Sequence, residues 1–332
     1  MTYYIAMDGG GTKTEGVLTD TRGRILAHAF GTASNPNDVT LAGSVSVLTG
    51  LVNTLFEQAG LTSADLPEIS LFGGIAGGIN YGPALESALR EAYPAAGALG
   101  IRSDVQILLS GEIPTGDGAC VICGTGSACF LRRGDELIRI GGWGYLLDSG
   151  GSGYDIGRDA LEAVLRAYDG RALNGRLGEK TALTDLLTAH LGGGVNTRIT
   201  EIYREGKPYI AACAPCVFEA AKAGDAVATA ILNRNARALA EYIETAWHHL
   251  TANRLPETAM LPVVMGGGIS QKASPYWRDL VASLVDPAIP VRITVATAPP
   301  VFGAIIEAAK QTGEGSIDFS ALRSAFMADY TK

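Results

Sequence analysis

Short apolar runs that end in glycine turns alternate along this chain with longer stretches of helical periodicity. The runs at 3–7, 14–19 and 25–30 predict three consecutive strands. The apolar positions that follow, from Leu41 to Leu55, recur at helical spacing. Two further strands, at 69–73 and 99–104, are then separated by a predicted helix. Three antiparallel strands followed by strand–helix alternation predict a mixed sheet.

The second half of the chain begins the same pattern again, without detectable sequence identity to the first half. Three strands are predicted at 118–123, 128–132 and 136–140, followed by a glycine-rich loop and several helices. Later strands at 261–265 and 291–295 complete the series. The pattern therefore predicts an α/β protein with the same arrangement of elements in both halves.

Composition and charge narrow the class of protein. The 332 residues suffice for two domains, and 47% hydrophobic residues against 18% charged residues predict a large core. A net charge of −8 disfavours nucleic acid as a partner, because that role requires a basic surface. No signal peptide or uninterrupted apolar span of membrane length is visible, so we expect a soluble cytoplasmic protein with no membrane partner.

Two C-x-x-C pairs among the five cysteines invite a metal interpretation. Cys120 and Cys123 lie on a predicted strand, where positions three apart face opposite ways. Cys213 and Cys216 lie in an alanine-rich segment of helical character. We therefore expect buried, reduced thiols rather than a zinc or iron–sulfur site.

Two glycine turns carry the candidate chemistry. The first joins two predicted strands, the second does the same later in the chain, and both expose backbone N–H groups and hydroxyls that suit a polyphosphate such as that of ATP. Asp8 precedes the first turn, where a carboxylate would attract Mg²⁺ directly or through water; the alternative is an Asp that only forms the turn. The residues predicted to hold phosphate are Gly10, Gly11, Thr12 and Lys13 in the first turn and Gly124, Thr125, Gly126 and Ser127 in the second. An ordinary hairpin turn is the alternative for the second.

Two more segments are candidates for ligand contacts. Trp143 stands between two glycines and would give an apolar floor to a pyranose ring, with a buried core Trp as the alternative. A third glycine run, Gly266, Gly267 and Gly268, follows a predicted strand. It would let adenine and ribose lie against the backbone, unless it is a plain strand-to-helix turn.

These segments together resemble the BadF/BadG-type ATPase family, and within it the N-acetylglucosamine kinases. The resemblance covers nearly the whole chain and rests on five segments in order: 8–12, 124–127, 142–144, 153–157 and 266–268. It implies an actin-like ATPase fold, with two ribonuclease-H-like domains and mixed five-stranded sheets, and with ATP and Mg²⁺ in the cleft between them. We expect residues 1–112, joined by a C-terminal helix at 316–330, to form the first domain and 113–315 the second.

The resemblance also implies roles for single residues. Asp104 stands where these kinases carry the catalytic base, although with Ser103 it would also suit a helix N-cap. Asn35 matches a sugar-contacting Asn, and Ala76 and Gly77 would supply backbone to the same pocket. Gly144 belongs to the Trp143 loop. The chain departs from the family pattern just after that loop: Ser149 occupies the place of a sugar-contacting Asp, and Asp148 lies one position earlier.

The hypothesis is therefore an ATP-dependent kinase of an amino sugar: N-acetylglucosamine, N-acetylmuramic acid or glucosamine. One alternative is an ATPase that activates a dehydratase or reductase partner, and another is a non-catalytic sensor of sugar or ATP. The expected partner is a small-molecule sugar, and a homodimer is left open.

Overall fold

A computed structural model describes residues 2–176, 179–252, 260–313 and 317–331. Its contacts divide the chain into two units: Met1–Thr115 with Thr297–Lys332, and Gly116–Ala296. The sequence predicts boundaries at 112 and 315, whereas in the structure the described part of 297–315 belongs to the first unit. Residue 316, where the terminal helix is predicted to begin, lies outside the described residues.

The described residues contain ten strands and thirteen α-helices, numbered here in chain order. The first unit contains β1 (Tyr3–Gly9), β2 (Lys13–Asp20), β3 (Ile25–Thr32), α1 (Pro36–Ala59), β4 (Ile69–Ile75), α2 (Gly78–Ala92), β5 (Ala98–Ser103) and α3 (Asp104–Glu112). The second contains β6 (Gly118–Cys123), β7 (Ser127–Arg133), β8 (Glu136–Ile140), α4 (Gly153–Tyr168), α5 (Leu183–Leu191), α6 (Ile199–Glu205), α7 (Lys207–Ala211), α8 (Ala214–Lys222), α9 (Ala226–Thr251), β9 (Leu261–Gly266), α10 (Gly268–Lys272), α11 (Tyr276–Leu284) and β10 (Val291–Val295). The chain then returns to the first unit with α12 (Pro300–Gln311) and α13 (Phe319–Tyr330).

The sheet of the first unit has the order β3-β2-β1-β4-β5. Strands β1, β2 and β3 pair antiparallel, while β4 and β5 run parallel to β1. The carboxyl ends of β1, β4 and β5 therefore meet at one edge of the sheet. Asp8, Ala76 and Asp104 all lie at that edge, because each stands at or directly after the end of one of these strands.

The sheet of the second unit repeats this arrangement. Its order is β10-β9-β6-β7-β8, with β6, β7 and β8 antiparallel and with β9 and β10 parallel to β6. The predicted α/β class with mixed five-stranded sheets is therefore confirmed. The core of this unit lies between the sheet and a helical layer that includes α4 and α9.

The first unit buries apolar side chains on both faces of its sheet. Leu48, Leu51 and Leu55 of α1 pack against one face. Phe302 of α12 and Phe326 of α13 belong to the cluster on the other face. Helix α12 lies so close to α3 that a Cβ at Gly303 would be 2.6 Å from the carbonyl carbon of Ile107. This close packing explains why the helix belongs to the first unit.

Helix α1, with 24 residues, is long and apolar enough to cross a membrane by length and composition alone, because an 18-residue window within it has a mean hydropathy of 1.6. No uninterrupted apolar span of membrane length was expected, and α1 contains none. A hydropathy average can be high without an uninterrupted apolar run, because Gly, Ser and Thr lower it only slightly. The buried side chains of α1 belong to the core cluster of the first unit, and the core helix of a globular unit passes the same test.

Candidate active site

The first glycine turn joins β1 to β2, as predicted. It is closed by a hydrogen bond from the Gly10 amide to the Lys13 carbonyl, 3.0 Å long. Gly11, Thr12 and Lys13 are exposed, so their groups are accessible to a ligand. A side chain at Gly9 would meet Ile75 at 2.7 Å, which accounts for glycine at the start of the turn.

Three carboxyl groups interact behind this turn. Burial raises the pKa of Asp8 to about 7, the carboxylates of Asp104 and Glu15 add to the effect, and Lys13 opposes it. None of the described residues donates a hydrogen bond to the Asp8 carboxylate. Glu15 lies opposite Asp8 in the β1–β2 register and accepts hydrogen bonds from Tyr330 (2.8 Å) and His28 (2.9 Å).

This arrangement fits Mg²⁺, because the positive charge of Lys13 compensates only part of the effect of burial and of the neighbouring acids on the Asp8 carboxylate. Among the described residues, no group of three or more His, Cys, Asp or Glu side chains is placed to hold a metal. That agrees with a magnesium ion held by one or two carboxylates, with waters and substrate phosphates as its other ligands. Asp8 is the residue that would hold it.

Asp104 opens helix α3, and the N-cap is Ser103. One carboxylate oxygen, Oδ1, accepts hydrogen bonds from the Ser103 hydroxyl and the Val105 amide, both 3.0 Å long. Burial raises the pKa of Asp104 even though these two bonds oppose the shift. The local contacts orient the carboxylate through Oδ1, and a raised pKa is the property that a general base needs.

The predicted sugar contacts of the first unit lie together. Asn35 caps helix α1, and its side chain bonds to Asn37 (3.1 Å) and Asp38 (2.8 Å). Gly77 has a φ of 81°, and a side chain there would lie 2.9 Å from the Asn35 amide oxygen. The neighbouring Ala76 amide donates to the Gly9 carbonyl at 2.7 Å, which connects this segment to the first turn.

Sequence reasoning missed Asp38, although it follows Asn35 closely. A Cβ at Gly11 would lie 3.0 Å from Asp38 Oδ2, so this carboxylate adjoins the first glycine turn. The run Asn35-Pro-Asn-Asp38 is typical of a helix start. This local explanation for Asp38 gives no indication that its carboxylate lies near the first glycine turn. Glu15 was missed as well, because it lies within strand β2, outside the glycine turn itself.

The second glycine turn joins β6 to β7 and is attached to helix α4. Amides of Gly153 and Tyr154 donate to the carbonyls of Gly124 (2.7 Å) and Thr125 (3.2 Å). The Ser127 hydroxyl donates to the Gly150 carbonyl at 2.8 Å, so it is engaged within its own unit. The Thr125 side chain is exposed and accessible to a ligand.

The third glycine run lies directly against the second turn. Gly267 has a φ of 89°, and a Cβ there would lie 3.0 Å from the Gly124 amide nitrogen. From the other side, a Cβ at Gly124 would lie 3.7 Å from the amide nitrogen of Gly268. Any side chain at Gly267 would separate the two segments. Gly266 is the last residue of β9, so the third glycine run begins where this strand ends.

The Trp143 loop presents its aromatic side chain to solvent. Trp143 is 62% exposed and lies under the guanidinium of Arg139, whose Cζ is 4.6 Å from the ring centroid. Gly144 has a φ of 112°, and its carbonyl accepts from the Asp148 amide at 2.8 Å. The alternative of a buried core Trp therefore does not apply.

Asp148 and Ser149, the two residues at the departure from the family pattern, point to different partners. Asp148 Oδ1 accepts a 2.5 Å hydrogen bond from the Tyr242 hydroxyl and stays partly exposed. Ser149 is buried, and its hydroxyl donates to Asp155 Oδ2 at 2.8 Å. Of the two, Asp148 has the more accessible side chain.

All five cysteines are buried free thiols, as expected. Burial raises the pKa of Cys123, Cys129 and Cys213 to about 12, so these thiols stay protonated at neutral pH. Nothing in these surroundings activates a thiolate.

Comparison with solved structures identifies the fold. The chain superposes on a protein assigned as an N-acetylglucosamine kinase from Chromobacterium violaceum with a TM-score of 0.65. The match covers 93% of this chain and 99% of that one, at 24% identity. The fold is therefore that of a sugar kinase.

Sequence comparison identifies the family. The profile of the BadF/BadG/BcrA/BcrD ATPase family matches residues 5–308. An N-acetylmuramic acid/N-acetylglucosamine kinase of Clostridium acetobutylicum is 33% identical over 246 residues, which are 72% of this chain and 77% of the relative. An N-acetyl-D-glucosamine kinase of Dictyostelium discoideum is 31% identical over 286 residues, 81% and 86% of the two chains. The chain belongs to the BadF/BadG/BcrA/BcrD ATPase family.

Proposed function

We propose that this protein is an ATP-dependent kinase that transfers the γ-phosphate of ATP to a hydroxyl of an amino sugar. The substrate is N-acetylglucosamine or a close relative such as N-acetylmuramic acid or glucosamine. Family membership and the activities of the two relatives support the reaction class. The structural observation that carries the proposal is the pair of interacting, mostly buried carboxyl groups of Asp8 and Asp104 at one sheet edge.

Asp104 acts as the general base. Its carboxylate orients the acceptor hydroxyl and accepts the proton as the bond to phosphorus forms, a contribution of roughly 10²–10⁴ in rate. Ser103 and Val105 hold one carboxylate oxygen, so the side chain is oriented before substrate arrives. Burial keeps its pKa raised, which makes it a stronger base than an exposed Asp.

The glycine turns bind the nucleotide. Thr12 and Lys13, with the backbone of Gly10 and Gly11, hold the transferred phosphate. The turn from Gly124 to Ser127 holds the rest of the phosphate chain, with Thr125 as its accessible hydroxyl, and the 266–268 run accommodates adenine and ribose. Asp8 holds Mg²⁺, which when bound neutralises the negative charge of the phosphates.

Two sets of groups recognise the sugar in this proposal. One is Asn35 with the backbone of Ala76 and Gly77, and the other is the Trp143–Gly144 loop with Asp148. Ser149 supports the site through Asp155 rather than by direct contact, in keeping with its burial. The protein acts in the cytoplasm on a small molecule, without nucleic acid or membrane partners.

The activating-ATPase alternative gains no support from the structure described, because it requires cysteines that bind a cluster between subunits. The thiols here are buried inside their units. No observation favours the sensor alternative over the kinase.

The test is an ADP-release assay with a panel of sugars, paired with mass detection of the sugar phosphate. We expect transfer to at least one of N-acetylglucosamine, N-acetylmuramic acid and glucosamine, and much weaker transfer to glucose. Asp104→Asn is the matched control for contaminating kinases. If none of the amino sugars is phosphorylated above the level of this variant, the proposed function is wrong.

A further inference from the structure

Lys207 begins the short helix α7, outside every motif discussed above, yet it lies beside the second glycine turn. A Cβ at Gly126 would lie 3.3 Å from Lys207 Nζ. The ammonium group is thus close to the backbone of the turn proposed to hold phosphate. In a protein with a net charge of −8, a cation at this position is notable.

The surroundings of Lys207 leave its charge available. Within the described parts of the chain, no carboxylate forms an ion pair with it. Its Nζ lies 5.5 Å from the centroid of the Tyr145 ring, so the aromatic face supports the side chain without neutralising it. Lys207 and Arg158 both border a cavity of 520 Å³. Arg158, unlike Lys207, forms ion pairs with Asp155 (2.7 Å) and Asp159 (3.0 Å).

Close backbone packing fixes the helix that carries Lys207. A Cβ at Gly157 of α4 would lie 3.0 Å from the carbonyl carbon of Ile210, so α7 and α4 pack backbone to backbone. Helix α4 in turn donates its Gly153 amide to the Gly124 carbonyl. The backbone at Lys207 and the glycine turn are therefore both packed on α4, and the distance between them does not depend on a long loop.

We propose that Lys207 is a phosphate-binding residue, whose ammonium contacts the phosphate chain of the nucleotide held by the Gly124–Ser127 turn. This inference rests on the proposed function for the identity of the ligand. A lysine serves such a site as a point charge that supplements backbone N–H groups. Glycine at 126 lets the ammonium lie beside the backbone of the turn, because a Cβ there would already be 3.3 Å from Nζ.

The test compares Lys207→Met with Lys207→Arg, and with Lys222→Met as a matched control. Lys222 is exposed at the end of α8 in the same unit, so its removal changes the net charge equally. Calorimetric titrations use adenosine, ADP and AMPPNP as probes, each without sugar. Thermal melting of every variant establishes that it is folded.

We expect Lys207→Met to weaken ADP and AMPPNP binding by about tenfold or more, the size of one charge-assisted hydrogen bond. The affinity of Lys207→Met for adenosine should equal that of the wild type, and Lys207→Arg should keep most of the wild-type affinity for ADP and AMPPNP. Added salt should reduce the difference in ADP affinity between Lys207→Met and the wild type. Lys222→Met should bind all three probes like the wild type.

Two results would overturn the inference: wild-type ADP affinity in Lys207→Met, or an equal loss for adenosine, which would indicate a distorted site. If Lys207→Met is unstable, the ADP affinity of Lys207→Arg tests the inference instead. Affinity near that of the wild type supports a phosphate contact, since such a contact survives the exchange of one cation for another, and a large loss contradicts it. The outcome is separable from the proposed function. If the wild-type protein phosphorylates no sugar but binds ADP in a Lys207-dependent way, the proposed kinase function is refuted while the proposed phosphate contact of Lys207 stands.

Discussion

Replacing Asp8 by Asn should stabilise the ligand-free protein while it impairs the use of Mg-ATP. The carboxyl group is mostly buried, stands near Asp104 and Glu15, and has a pKa raised to about 7 from an ordinary 3.8. Its ionised form is therefore less favourable in the native state than in the unfolded chain. Asn has nearly the same shape and carries no charge.

The size of the effect follows from the shift in pKa. A raised pKa means that the native state binds the proton more tightly, so ionisation costs stability once the pH exceeds 3.8. With a native pKa of about 7, the cost is about 2 kcal/mol at pH 5 and about 4 kcal/mol at pH 8. The Asn variant avoids this cost at both pH values. Its advantage over the wild type should therefore grow by about 2.5 kcal/mol between pH 5 and pH 8.

Urea unfolding at pH 5 and pH 8, with EDTA present, measures this difference. Glu307→Gln is the matched control, because Glu307 is also a buried acid with the opposite shift. Burial alone would raise the pKa of Glu307, but Lys310 and hydrogen bonds from Ser110 and Gln106 outweigh it and lower the pKa. That carboxylate stabilises the protein above its ordinary pKa of 4.5, so the Gln variant should lose stability at both pH values.

A different pattern would refute the reasoning. If Asp8→Asn is no more stable than the wild type at pH 8, or if its advantage is equal at both pH values, the carboxylate is not destabilised by its surroundings. The argument for a compensating cation at Asp8 would then fail as well.

Asp104→Asn should lower kcat about 10²–10⁴-fold, while its ADP affinity stays within about twofold of the wild type. An unchanged kcat in a sugar-dependent assay would show that Asp104 is not the general base. Gly303→Ala should lower the free energy of unfolding by at least about 2 kcal/mol, because the new Cβ would meet the backbone at Ile107. The control Gly50→Ala has no atom within 4 Å of its Cβ and should be neutral or stabilising in urea unfolding; equal effects would contradict the close helix contact. Trp143→Ala should raise the KM for the sugar about tenfold with little change in melting temperature, since the side chain is mostly exposed. An unchanged KM would exclude Trp143 from the sugar site.

Local pattern in the sequence accounts for most of the fold. Strands that end in glycine turns could be placed from the order of residue types, because side-chain alternation and the backbone freedom of glycine are properties of a few adjacent residues. Both mixed sheets follow from the order of those strands. The positions of Asp8 and Asp104 at strand ends follow too, since parallel strands share the edge at which they end.

Contacts between distant segments could not be predicted in this way. Helix α12 belongs to the first unit because Gly303 allows it to approach α3, about two hundred positions earlier. Tyr330 reaches Glu15 across almost the whole chain, and the Ser149 hydroxyl turns to Asp155. Such pairings depend on how complete elements pack, which no local window contains.

The sequence alone determined which elements form and where the glycine turns and strand-end acids stand, because each depends on the conformational preferences of neighbouring residues. Only the tertiary structure decided which polar groups are already engaged and which remain available to a ligand. Lys207 shows the difference: its surroundings in sequence are an ordinary helix start, and only the packing of α7 on α4 brings its ammonium beside Gly126.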